Sequence, residues 1–193
     1  MAIVVSAPPS DPADLDVLVA GLAVGNEAAA HSRSILSQHR VLALLNATPT
    51  PNPWSSLLSK RSVALLQISV EDKRTEELYP HFEECCNFIG RHRTRALREA
   101  ARRLPGESAP CVLVHCQQGI SRSVTLVLAY LMRRCAAGLG EKRPSAVLGI
   151  LGHWMLLRGS ILRVASWRHK AHAAVCACQD GKRRLKQCGV THT

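Results

Sequence analysis

Val112-Leu113-Val114-His115-Cys116-Gln117-Gln118-Gly119-Ile120-Ser121-Arg122-Ser123-Val124 is the stretch whose reading decides how this chain folds. It begins in aliphatic residues, passes through a glycine-containing loop, and enters an almost wholly apolar segment over 123–132. The first run reads as a short buried strand and the last as a buried helix. A strand that turns tightly into a helix points backbone N–H groups and a helix N-terminus at one spot, which suits an anion. Gly119 permits the turn and a close approach of backbone to ligand. Cys116 opens the loop and Arg122 closes it. In that field the thiolate is favoured over the thiol, and the arginine offers a rigid two-pronged donor to a tetrahedral oxyanion. A nucleophile, a cradle and a complementary charge together suit phosphoryl chemistry. A lone cysteine at a strand end is usually a core thiol. The coincidence of Cys116, Gly119, Ser121 and Arg122 in one strand–loop–helix context favours the chemical reading.

Outward from this centre, strand and helix patterns alternate. Short strands are expected over 17–20 and 22–24, closed by Gly25-Asn26, and a helix over 27–38. A buried strand over 41–45 ends at Asn46 and the proline-rich turn 48–53; another strand spans 63–70. Leu78, Phe82, Cys85, Cys86 and Ile89 form an amphipathic helical stripe. A break is expected at Gly90, followed by a basic stretch that ends near Pro105-Gly106. A further helix spans 144–157, with its proline at an early position. This alternation predicts an α/β fold, a single domain with a central mostly parallel sheet flanked by helices. In such sheets ligands bind at the carboxyl ends of strands. The expected divisions are a flexible leader over 1–14, a catalytic domain over 15–175 and a mobile basic tail over 176–193.

Bulk properties narrow the setting. The 193 residues suffice for one well-buried domain. Lys plus Arg number 25 against 14 Asp plus Glu, a formal charge of +11. Such a balance suits nucleic acid, anionic membrane or acidic substrates, or is simply a solvated basic surface. No secretory or lipidation signal and no apolar run long enough to span a bilayer is present, so a cytoplasmic or nuclear protein with no membrane partner is expected. Eight cysteines without a regular framework read as reduced thiols.

His115 to Ser123 resembles the HCxxGxSRS signature of dual-specificity protein phosphatases, and Ala129-Tyr130-Leu131-Met132 is similar to the AYLM that follows it in that family. Leu22-Ala23-Val24-Gly25-Asn26 resembles the family's L-x-x-G-N element, and Leu44-Leu45-Asn46 its strand ending in Asn. Val70-Glu71-Asp72, His81-Phe82 and Phe88-Ile89 resemble its V-x-D…HF…FI block. The resemblance implies a two-step hydrolysis of phosphotyrosine and phosphoserine/threonine in protein substrates. Cys116 attacks phosphorus to form a phosphocysteine, and water hydrolyses it. The loop residues Gln117, Gln118, Gly119, Ile120 and Ser121 cradle the phosphate with Arg122. Ser123 helps the thiolate leave, and His115 supports the loop. Asp72 is the expected general acid, with Glu71 its rival. No cofactor and no metal is implied.

There are departures. Gln118 stands where the family usually has alanine, at the pocket rim. The loop carries no lysine, which favours protein over phosphoinositide substrates. The interval from Asp72 to Cys116 is longer than usual, and the surplus falls in the basic stretch 91–103, a lengthened helix or surface insertion. The C-terminal part, around Trp167, matches least. Two other readings stand beside the enzyme: a phosphoprotein-binding adaptor without turnover, and an RNA 5′-phosphatase motivated by the charge. The latter ranks low, because only 4% of residues are aromatic and none lies in the basic run. His169, His172, Cys176, Cys178 and Cys188 match no standard zinc spacing. Cys85, Cys86 and Cys111 are core thiols, or else partners for oxidation with Cys116.

Overall fold

The computed structural model describes residues 14–73, 77–104 and 106–136. The helix expected over 144–157, most of the leader, the tail and the five-residue His/Cys cluster lie outside these residues. Five strands, β1 (Leu15–Val19), β2 (Leu22–Gly25), β3 (Val41–Asn46), β4 (Ala64–Gln67) and β5 (Cys111–His115), form one sheet in the order β1-β2-β5-β3-β4. β1 is antiparallel to β2, and the other three pairings are parallel. This is the expected single α/β domain with a mostly parallel sheet flanked by helices.

β5 lies at the centre of the sheet between β2 and β3, and each of its residues is buried. That position explains its unbroken apolar run, since a central parallel strand is covered on both faces. One face carries α4 (Phe82–Ala100) and α5 (Arg122–Ala136) over a core that includes Val112, Val114, Ile89 and Leu128. The other is covered by α1 (Glu27–His31), α2 (Arg33–Gln38) and α3 (Ser55–Lys60), with Leu113, Leu44, Leu36 and Leu58 beneath.

Several expectations change. The helix over 27–38 is two helices, because Ser32 ends one and caps the next. Its N–H donates to the Ala29 carbonyl at 3.2 Å, and its hydroxyl accepts from the Ile35 N–H at 3.4 Å. A serine that satisfies the backbone at both ends supports such a turn. The strand over 63–70 pairs only over 64–67; beyond it Ile68 and Val70 stay buried, and the Val70 N–H donates to the Ile68 carbonyl at 3.0 Å in a tight turn that ends the strand. α3 had no counterpart in the sequence reading. The expected break at Gly90 does not occur. α4 runs through it because its buried face continues beyond, from Ile89 to Arg93 and Ala96. One mid-helix glycine costs only about 1 kcal/mol, and a packed face outweighs that.

The same helix accounts for the basic stretch. Arg93 is buried, its Nε donates to the Ala20 carbonyl at 2.9 Å, and its guanidinium lies 5.9 Å from the Tyr130 ring centroid. It fastens α4 to the β1–β2 turn and to α5. Residues 91–100 of the basic stretch are the second half of α4, 101–103 lie in the turn beyond it, and one of these cations is structural.

Candidate active site

Cys116 sits at the carboxyl end of β5, with 1% of its surface exposed. Ser123, in the first turn of α5, is fully buried with its Oγ 3.3 Å from the Cys116 Sγ. Arg122 is also buried. Its NH1 donates to the Val70 carbonyl at 2.7 Å, whereas its buried Nε has no hydrogen-bond partner among the described residues. A buried donor on a cation is costly unless something accepts from it. The guanidinium is thus held on one side by backbone and left with a donor on another.

The loop between them rests on the β2–α1 junction. Gly119 has φ +72°, and a Cβ there would lie 2.7 Å from the carbonyl carbon and oxygen of Gly25. Backbone cannot yield at that distance. Asn26 caps α1 by accepting from the Ala29 N–H at 2.9 Å, and the same oxygen accepts from the Asp14 N–H at 3.1 Å. The next amide, Glu27 N–H, donates to the Gln117 carbonyl at 3.1 Å. The Gly25-Asn26 pair is therefore a platform for the loop. Gly119→Ala is expected to lower stability by at least about 1–2 kcal/mol for the left-handed conformation alone. Displacing the loop by an ångström would also cost on the order of 10²-fold in turnover. Thermal melts and p-nitrophenyl phosphate assays check both effects.

Asp72 is exposed on the segment after β4, and its Oδ1 accepts from the Ser121 hydroxyl at 3.1 Å. The structure thus brings Asp72 to the rim of the 116–122 loop. Its neighbour Glu71 instead pairs with Lys73. Gln117 and Gln118 are exposed on the rim, Gly119 is buried, and Ile120 and Ser121 are half-buried. Asn46 is the register partner of His115, at the strand end where the loop begins. It organises the following turn by accepting from the Thr48 N–H and hydroxyl at 2.9 and 2.8 Å and donating to the Thr50 carbonyl at 2.7 Å.

His115 is fully buried behind Cys116, with its ring edge-on to His31 at 6.5 Å. Neither ring nitrogen has a hydrogen-bond partner among the described residues. Burial pushes its pKa down from 6.5 to about 3, with His31 and Arg122 adding to the shift and the Cys116 backbone opposing it. The folded ring is neutral at pH values where an unfolded histidine is protonated. Between pH 6.5 and about 3 the unfolded state therefore holds the extra proton, and stability falls as pH falls. A loss of about 1.4 kcal/mol per pH unit below 6.5 is expected. Urea melts between pH 7 and pH 5 check the slope, and His115→Gln should flatten it.

The Val70 carbonyl, which holds Arg122, and His31, which packs on His115, escaped the sequence reading. One is backbone and the other carries no motif, so neither left a local signal. Cys85, Cys86 and Cys111 are buried thiols, and burial pushes Cys85 and Cys111 up to about 12. Cys111 stands at the opposite end of β5 from the loop, roughly 16 Å from Cys116 at strand rise. A disulfide needs Cα atoms within about 7 Å, so Cys111 cannot oxidise with Cys116 in this fold.

The sequence model of the dual specificity phosphatase catalytic domain matches residues 22–141, more than half of the chain. The chain belongs to this family. This phosphatase-family domain is 36% identical over 115 residues to dual specificity protein phosphatase 22 of Mus musculus, covering 60% of this chain and 53% of that protein. It is 32% identical over 133 residues to dual specificity protein phosphatase 1 of Arabidopsis thaliana, covering 65% and 59%. The chain spans between 28% and 59% of the length of the first curated relatives it matches. Among solved structures, a single-site variant of human DUSP28 superposes with a TM-score of 0.62 at 23% identity, over 88% of this chain and 99% of that one. That likeness concerns the fold.

Proposed function

We propose that this domain hydrolyses phosphotyrosine and phosphoserine/threonine in proteins through a phosphocysteine. The observation that carries the reading is the convergence at one strand end of a buried thiol, a hydroxyl 3.3 Å from it and a buried guanidinium whose Nε has no hydrogen-bond partner among the described residues. In the first step the Cys116 thiolate forms a bond to phosphorus while the bond from phosphorus to the ester oxygen breaks. Asp72 gives a proton to the departing oxygen. The amides of 117–122 and the Arg122 guanidinium take the equatorial oxygens, whose charge they complement in the transition state. In the second step a water oxygen replaces sulfur on phosphorus while the Asp72 carboxylate takes the water's proton, and Ser123 stabilises the leaving thiolate with its hydrogen bond. The position of Asp72 at the loop rim, where its Oδ1 accepts from the Ser121 hydroxyl, supports its role as the acid.

The loop residues 117–121 include no lysine, which favours protein monoesters over polyanionic lipid headgroups. The deciding experiment uses Ser123→Ala with phosphotyrosine and phosphothreonine peptides, quenched in acid during turnover. A phosphoryl mass on the peptide containing Cys116 is expected to accumulate above the wild-type level. Turnover without any label on Cys116 would sink the phosphocysteine. Vanadate binding without turnover in the wild type would identify the domain as a phosphoprotein-binding adaptor instead.

A further inference from the structure

Among the described residues, exposed arginines gather at one end of the sheet. Because β3, β4 and β5 are parallel, the chain enters all three at the end of the sheet opposite the 116–122 loop. α5 starts at the loop and runs back to that same end. Arg40 immediately precedes β3, and Arg61 lies just before β4. The parallel β3–β4 pairing, which begins at Ala43 and Ala64, sets the turns that carry these two arginines at the same end of the sheet. Arg98 and Arg102 lie at the C-terminal end of α4, and Arg133 near that of α5. All five are exposed.

Neighbouring contacts join these connections into one face. The Ser108 hydroxyl donates to the Gln38 carbonyl at 3.0 Å, and the Cys111 N–H donates to the Arg40 carbonyl at 3.4 Å. The turn after α4 is thereby fastened beside the turn before β3. The carboxylates Glu99 and Glu107 at this end are each paired, with Arg95 and Arg103, and so do not neutralise the five. Leu104, in the same turn, is 74% exposed, the most exposed large hydrophobic side chain among the described residues.

The shape of this face selects its partner. Its cations come from the turns before β3 and β4 and from the C-terminal ends of α4 and α5, and so from both the sheet and helix layers. They spread over about 20 Å, given strand spacings near 5 Å and a layer spacing near 10 Å. A peptide in a groove would meet one or two of them, whereas a planar anionic surface meets all. Single-stranded nucleic acid would call for aromatics interleaved with the arginines, and no Phe, Trp or Tyr lies in 98–104 or directly beside Arg40, Arg61 or Arg133. An exposed leucine among arginines is the pattern of a residue that enters the headgroup–acyl boundary.

We propose that this end of the domain docks on an anionic phospholipid surface, with its arginines on headgroup phosphates and Leu104 inserted. The 116–122 loop then faces away from the bilayer, toward substrates in the aqueous phase. This revises the expectation of no membrane partner, which rested on the lack of a spanning segment. No described helix is long and apolar enough to cross a membrane, but surface docking requires none.

The test is co-sedimentation of the full chain with phosphatidylcholine vesicles with and without phosphatidylserine. Binding is expected only when phosphatidylserine is present, and it should weaken as salt is raised. Arg98→Glu/Arg102→Glu should lower the partition coefficient at least about tenfold, and Leu104→Ser should lower it severalfold. Arg40→Glu/Arg61→Glu supplies a second charge reversal should the first pair fail to fold. Equal binding to phosphatidylcholine alone, no binding at all, or an unchanged partition in a folded charge-reversal pair overturns the proposal. Tighter binding to a single-stranded RNA oligonucleotide than to the anionic vesicles overturns it as well.

Discussion

Cys116→Ser should reduce p-nitrophenyl phosphate turnover by on the order of 10⁴- to 10⁶-fold, the range seen when an enzyme loses its nucleophile. The reason lies in the ionised form. A thiol in an electropositive site reacts as thiolate, whereas an alcohol in the same place stays protonated and is a poor nucleophile at neutral pH. The fold should survive, because the substitution is close to isosteric at a site where the side chain already faces a hydroxyl, Ser123 Oγ, at 3.3 Å. Oxyanion binding should therefore persist in the variant, read as vanadate or phosphopeptide affinity. Turnover within tenfold of the wild type would remove Cys116 from the mechanism.

Arg122→Lys carries the second large effect. Lysine keeps the charge but not the fork, so it cannot bind the Val70 carbonyl and two phosphoryl oxygens at once. A single transition-state donor is worth about 10²–10³ in turnover, and the loss here should reach or exceed the upper figure. Arg122→Ala goes further. It removes the partner of a buried carbonyl now bonded at 2.7 Å and should also cost about 1–3 kcal/mol of stability. Comparing kcat and KM of the two variants separates charge from geometry, and thermal melts report the structural share. A lysine variant with wild-type kcat/KM would show that the two-pronged geometry is not used.

Much of the site could be read before any coordinates. Cys116, Gly119, Arg122 and Ser123 lie in one contiguous segment, and the signals that shape it are equally local: an aliphatic strand, a glycine, an apolar helix. The alternation of periodicities was likewise enough for an α/β domain. Local patterns failed where two local preferences competed. Gly90 looked like a stop but sits on a helix whose packed face continues through Arg93 and Ala96. Ser32 looked like helix interior but satisfies backbone groups on both sides and divides the segment in two. Short elements such as α3 carried too little periodicity to register.

The 116–122 loop was legible by itself because its parts are neighbours in the chain. What surrounds it depended on the strand order β1-β2-β5-β3-β4, which no local pattern encodes. That order sets Gly25 against Gly119, brings the Val70 carbonyl to Arg122 and carries Asp72 to Ser121. It likewise turned a basic run that looked uniform into one buried clamp, Arg93, and cations gathered at the far end of the sheet. Residue types in a short segment determine local conformation and the chemistry available there. Only the closing of the sheet determines which distant residues meet, because those contacts join segments whose separation in the chain says nothing about their distance in space.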